Sequence, residues 1–158
     1  MGSGRTVTFL IPGPPQGKAR PRVVRGAGGR VHTYTPDGTA AYERLVREQY
    51  RKAARIPAGG IPAGGVQFPD EAAIRLTVTA GFPVPKSASR KNRARMLAGE
   101  IRPAKRPDFD NIGKIIADAL NGVAYRDDAQ IVEAQVVKIY VDGPGETTVT
   151  IGTVGKED

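Results

Sequence analysis

Between Asp110 and Asn121, apolar side chains recur at Ile112, Ile115, Ile116, Ala119 and Leu120. That spacing dictates a helix burying one stripe against a core, and Asn121-Gly122 ends it. The opposite face carries Asp110, Lys114 and Asp118 at i, i+4 and i+8, with Asp108 just outside the first turn. Asp127-Asp128 follows across a short turn, Asn121–Tyr125, at the entrance of the next strand. That return is expected to bring one of the two aspartates back to the helix N-terminus. Whatever fold surrounds it, this unit must place a row of charge on the outside of a helix whose inside is core.

The flanking segments read as sheet. Arg5–Ile11, rich in β-branched residues, reads as a strand and stops at the Pro12-Gly-Pro-Pro cluster. Gln16–Tyr34 is glycine-rich and basic, with short extended pieces at Val23–Val24 and Val31–Tyr34 that predict a hairpin across Gly26–Gly29. Thr39–Arg55 predicts a helix with Tyr42, Leu45, Val46 and Tyr50 on one side, opened at Thr35-Pro36-Asp37. Glu71–Phe82 alternates as a half-buried strand, and Ser87–Leu97 is a short basic helix. Gln130–Val141 and Thr147–Val154 are strands separated by Asp142-Gly-Pro-Gly and are expected to pair antiparallel. The stretch 56–69, with its repeated Ile-Pro-Ala-Gly-Gly, reads as a flexible loop too short to divide domains. Residues 1–4 are expected to be disordered or a leading remnant. The expectation is therefore a single domain over 1–158, α+β, with helices packed on a mixed sheet.

Charge narrows the function. Twenty-four Lys and Arg against sixteen Asp and Glu leave a net charge of +8, which favours a polyanionic partner. No long basic amphipathic helix is present to lie on a membrane, and no apolar run reaches spanning length. With no charged-then-apolar leader, the expected location is the cytoplasm. Cysteine is absent and His32 is the lone histidine, which excludes thiol catalysis, Cys-ligated zinc and multi-histidine metal sites. Aromatics at 6% argue against extensive base stacking as the mode of recognition.

A protein that only holds DNA gains nothing electrostatically from five aspartates between Lys105 and Tyr140. Asp108, Asp110 and one of Asp127 and Asp128 form an oxygen set suited to Mg²⁺ or Mn²⁺. Such a cation activates water and neutralises charge on a phosphodiester. Lys114 is placed to touch a phosphate oxygen. Each residue also has a plainer reading. Asp108 or Asp110 serves as a helix N-cap, Asp127-Asp128 as a turn, and Lys114 with Asp118 as a surface ion pair. Lys18, Arg20 and Arg22, then Lys86, Arg90, Lys91, Lys105 and Arg106, are candidate backbone contacts, with Arg93 and Arg95 beside them. Phe109 and Tyr125 are expected to pack, since both adjoin apolar runs, and His32 is expected to be a bystander.

The run RPDFDN-x₂-K-x₃-DAL-NG-x-AY-x-DDAQIVE, Arg106 to Glu133, resembles the RusA family of Holliday junction resolvases. GPPQGKARPR (Gly13–Arg22), TYTPDGTAAYE (Thr33–Glu43), PVPKS and GEIRPAKRPD extend the likeness over nearly the whole chain. The resemblance implies a homodimeric endonuclease that cuts four-way DNA junctions by paired symmetric nicks in a Mg²⁺-dependent reaction. It implies Asp108, Asp110 and Asp128 as metal ligands and Lys114 as the essential lysine. Asp118 and Asp127 are implied to act behind them, Asp118 by orienting Lys114. The turn between the DAL and DD segments is one residue shorter than in the best-known members. Two other readings stand beside this one: a nuclease for flaps and forks, and a non-catalytic junction-binding protein whose carboxylates are structural.

Overall fold

Alternation makes the sheet one-sided. In the computed structural model, which describes residues 5–19, 22–34, 37–55 and 66–155, strand β1 (Thr6–Pro12) buries Val7, Phe9 and Ile11 and exposes the residues between. Strand β4 (Ile74–Pro83) buries Ile74, Leu76, Val78 and Ala80, and the last strand, β6 (Glu146–Thr153), buries Val149 and Ile151. With β5 (Ile131–Val141) they form a four-stranded sheet in the order β1-β6-β4-β5. The β1–β6 and β6–β4 pairs are antiparallel, and β4–β5 is parallel. The protein is a single small α+β domain built on this mixed sheet.

Two helices cover the inner face. Helix α1 (Asp37–Ala53) buries Thr39, Tyr42, Val46 and Tyr50, and Tyr50 meets Phe9 edge-on with ring centroids 5.7 Å apart. Helix α3 (Phe109–Leu120) buries the predicted stripe of Ile112, Ile115, Ile116, Ala119 and Leu120. Each of the four large aliphatic chains in that stripe contributes about 2 kcal/mol by leaving water. Helix α3 ends where Gly122 takes a positive φ of 75°, a conformation that glycine adopts without a Cβ penalty. Between β4 and α3 lies α2 (Arg90–Leu97), capped by Ser89, whose hydroxyl accepts from the Asn92 amide at 3.1 Å. Helix α2 buries no residue and is tied down by the Arg93–Asp142 ion pair. The predicted hairpin forms as β2 (Arg22–Arg25) and β3 (Val31–Tyr34), antiparallel and separate from the main sheet.

One expected pairing does not occur: β5 and β6 flank β4 and never touch as neighbours. Two strands with a third between them are about 10 Å apart, twice the strand spacing, so Asp142–Gly145 must pass over the end of β4. Glycine makes the crossing possible. A Cβ on Gly81 would lie 2.5 Å from the Glu146 carbonyl, and one on Gly145 would lie 2.9 Å from the Gly81 carbonyl. The stretch 56–65 of the expected loop lies outside the described residues. Its described end is anchored: Phe68 is buried and its amide donates to the Ala124 carbonyl at 2.8 Å.

Candidate active site

Helix α3 carries the site because its inner stripe fixes its rotation. With that stripe buried, Asp110 and Lys114 are exposed and Asp118 is half-buried. Lys114 Nζ stands 3.7 Å from Asp118 Oδ2, one turn further along. Asp108 occupies the N-cap position, but its side chain makes no capping hydrogen bond. Among the described residues, Asp110 accepts only from the adjacent Asn111 amide, at 3.0 Å. The N-cap reading of these two residues therefore accounts for little, and both carboxylates face solvent.

The other end of α3 is built differently. Lys18 donates to Glu43 of α1 at 2.5 Å and lies 3.3 Å from Asp118, with only 18% of its side chain exposed. Burial pulls its ammonium pKa down, but the hydrogen bonds and charges of Glu43 and Asp118 outweigh this and leave it above the ordinary lysine value. Lys18 gets there because its chain hugs α3. Its amide donates to the Asn111 carbonyl at 2.9 Å, and a Cβ on Gly17 would lie 2.9 Å from Pro107. Lys18, expected on a phosphate, thus links α1 to α3.

Asp128 arrives beside Asp118, not at the helix N-terminus. Its amide donates to Asn121 Oδ1 at 2.9 Å, which pins the return at the C-terminal end of α3. Asp110 and Asp118 are eight residues apart, about 12 Å along the axis, and a two-residue return after Tyr125 does not recover that distance. Burial holds the Asp128 carboxyl above its ordinary value, as do hydrogen bonding and like charge from Asp127 and Asp118. Asp127 has a structural task. It caps the short 3₁₀ turn Asp128–Gln130, accepting from the Ala129 amide at 2.9 Å while Gln130 reaches back to its own amide. Tyr125 is fully buried beneath the group and donates to the Ala117 carbonyl. Its phenol is held well above the ordinary value by burial, with the charges of Asp128, Asp118 and Asp127 adding to the effect.

The remaining candidates spread around the acids. A cleft of about 900 Å³ is lined by Pro15–Ala19, by Gly38 and Thr39 at the start of α1, and by Arg106–Asp108 with Asn111. A second hollow, of about 530 Å³, holds Lys105, Arg106, Asp108, Phe109, Asp110 and Lys138. Asp108 and Arg106 line both. Lys105 Nζ sits over the Phe82 and Tyr140 rings at 5.9 and 5.6 Å. Lys86, Arg90 and Lys91 are exposed. Arg20 and the side chains of Arg22 and His32 fall outside the described residues. Phe109, expected to pack, is 65% exposed between Asp108 and Asp110. Position 109 is in register with the stripe, three and seven residues before Ile112 and Ile116, but as the first residue of α3 it is left exposed. Glu43 and Asn121, which hold Lys18 and Asp128, were not foreseen as site residues. Glu43 lies in the TYTPDGTAAYE motif, but nothing local pairs it with a lysine 25 residues away.

The donor chemistry suits a hard divalent cation, since all candidates are carboxylate oxygens. Among the described residues, Asp108, Asp110 and Asp128 take part in no ion pair, despite the surplus of lysine and arginine. The crowding at Asp128 is a repulsion that a cation would relieve. No group of three or more acidic or histidine side chains among the described residues stands close enough to hold one ion. The acids form two stations, Asp108–Asp110 and Asp118–Asp128, with Lys114 between them.

Comparison with known proteins bears on this arrangement. The chain is similar to the uncharacterized protein YqaN of Bacillus subtilis (strain 168), 31% identical over 144 residues, covering 87% of this chain and 90% of that one. A profile of the family endodeoxyribonuclease RusA matches residues 12–152, which include the cleft, α3 and the Asp-Asp return. The chain belongs to the RusA endodeoxyribonuclease family.

Proposed function

We propose that this protein is a structure-selective endonuclease that resolves four-way DNA junctions by paired symmetric nicks. The observation that carries this reading is that Asp108, Asp110 and Asp128 take part in no ion pair among the described residues, in a chain of net charge +8. Acidic charge beside a phosphate opposes binding, so its presence is accounted for by chemistry. The proposed oxygen donors are Asp108 and Asp110 at one station and Asp128 at the other, which stand too far apart here to share one ion; the proposed ion is Mg²⁺, with Mn²⁺ as a substitute. When bound, that ion supplies an activated water and neutralises charge on the phosphate.

The chain's own residues do the rest. Lys114, 61% exposed beside Asp118, donates to a non-bridging or leaving oxygen as charge builds there. Asp118 holds that ammonium over the helix face. Water adds to phosphorus and gives up a proton, the bond to the leaving oxygen breaks, and that oxygen takes a proton up. Arg106, Lys86, Arg90 and Lys91 hold the backbone on either side. A two-fold homodimer is proposed because two symmetric cuts require two sites related like the strands they cut. Phe109, exposed within the acid row, is positioned to stack on a base unpaired at the junction centre.

A synthetic immobile four-way junction, with linear duplex and flap controls, tests the reading. Symmetric nicks in Mg²⁺, absent in EDTA and absent in Asp110→Asn, support it. Tight junction binding with no cutting in either Mg²⁺ or Mn²⁺ overturns it in favour of a binding protein. Preferential cutting of the flap moves the substrate to other branched DNA.

A further inference from the structure

Among the described residues, the β2–β3 hairpin makes no substantial contact with any other helix or strand. Its strands pair Arg25 with Val31 across Gly26–Arg30, where the Gly26 amide donates to the Arg30 carbonyl at 2.7 Å. Gly28 and Gly29 turn the tip with φ of 87° and 80°. Arg25 and Arg30 are exposed at its two shoulders, and Val31 beside them is 58% exposed. A two-stranded hairpin is at best marginally stable alone in water, so an element of this kind acts by meeting a partner.

Charge identifies the partner. From Gly13 to Tyr34 the sequence carries Lys18, Arg20, Arg22, Arg25 and Arg30 and no acidic residue. A second copy of this +8 chain would meet that segment with like charge, whereas a phosphate backbone complements it. Connectivity supplies the location. The cleft that holds Asp108 is walled by Ala19 on the side where the chain leaves for β2, and by Gly38 where it returns in α1. Two residues separate Ala19 from β2 and three separate β3 from Gly38, so neither strand end lies more than about 14 Å from its wall. The arm therefore stands at the mouth of the proposed active site.

We propose that the β2–β3 hairpin is a DNA-gripping arm whose Arg25 and Arg30 hold the phosphate backbone next to the cleft. The proposal rests on the reading that DNA is the substrate, but not on cutting. Lys18 is occupied by Glu43 and Asp118, so the arm's grip comes from its tip and not from its root. The contact is sequence-independent, because guanidinium–phosphate pairs position a duplex without reading it.

Junction and duplex binding in EDTA, measured from 50 to 200 mM salt, tests the arm with three proteins: wild type, Arg25→Ala/Arg30→Ala and Arg25→Lys/Arg30→Lys. The alanine variant is expected to bind at least tenfold more weakly at the lowest salt. Its plot of log K against log salt should be shallower by about two, roughly 0.9 per lost phosphate contact. The lysine variant should keep the wild-type slope, and all three should melt together. An alanine variant with wild-type affinity and slope overturns the proposal. So does one that changes oligomeric state while its slope stays constant, which would make a second copy the hairpin's partner. Hairpin-dependent binding by a wild type that never nicks in Mg²⁺ would leave the arm standing and sink the nuclease reading alone.

Discussion

The two ends of α3 carry the same residue type in opposite circumstances. At the N-terminal end, Asp108 and Asp110 are exposed and take no part in any ion pair among the described residues, and Asp108 does not even cap its helix. At the C-terminal end, Asp118 is shared by Lys18 and Lys114, and Asp128 is pinned by Asn121 and crowded by Asp118 and Asp127. The first end is bound by nothing the fold needs. The second is woven into the joint between α1, α3 and β5. Substitutions at the first should register in chemistry alone, and at the second in chemistry and stability together.

The largest expected effect comes from Asp110→Asn. Nicking in Mg²⁺ should fall on the order of 10³-fold, junction affinity should hold or improve, and the melting temperature should not move. A variant that melts several degrees lower would show that the N-terminal station also supports the fold.

Asp128→Asn should also abolish most nicking, but it should raise the melting temperature, by about 3 °C for a domain of this size. The sign follows from the raised pKa. The folded state favours the protonated carboxyl, so stability is full below the ordinary carboxylate value and is lost as pH rises through the raised one. The amide removes that loss. Wild-type stability should therefore decline across this window more than that of the variant, and parallel pH profiles would break the contrast between the two ends.

Lys18→Ala should destabilise by about 2 kcal/mol, because the largely buried Glu43 and Asp118 lose their nearer cation and keep only Arg47 at 4.0 Å and Lys114 at 3.7 Å. Thermal melting measures this. Unchanged melting with weakened DNA binding would instead return Lys18 to the phosphate-contacting role expected from its place in the basic segment. The smallest effect is expected for Asp127→Ala, about 1 kcal/mol from losing the cap of the 3₁₀ turn. Nicking should be reduced far less than in Asp128→Asn. Equal loss of nicking, with no change in melting, would reverse the roles of the two adjacent aspartates.

Much of this site was legible in the sequence because α3 is a local object. A 3.6-residue period places Asp110, Lys114 and Asp118 opposite Ile112, Ile115 and Ile116, and burial of that stripe needs no knowledge of what covers it. Phe109 shares the spacing of that stripe, yet at the first position of α3 it is exposed, against the expectation from its side chain. The motif spanning Arg106–Glu133 carried the family, which the match over residues 12–152 shows. The position of Asp128 was misjudged because the return was treated as free to run back along the helix, whereas Asn121 holds it at the near end.

What the sequence determined by itself is whatever depends on neighbours in the chain: the helix, its two faces, the alternating strands, the glycine-turned hairpin and the surplus of positive charge. The tertiary structure alone decided which strands are adjacent and which charges meet. A two-residue period shows which face of β5 and β6 is apolar but not that β4 lies between them; that depends on a crossing permitted by Gly81 and Gly145. Nor does any local rule pair Lys18 with Glu43 and Asp118, since these contacts span 25 and 100 residues and exist only once α1 and α3 share a core. Local periodicity is set by backbone geometry, whereas long-range pairing is set by packing, and the charges at this site inherit their partners from packing.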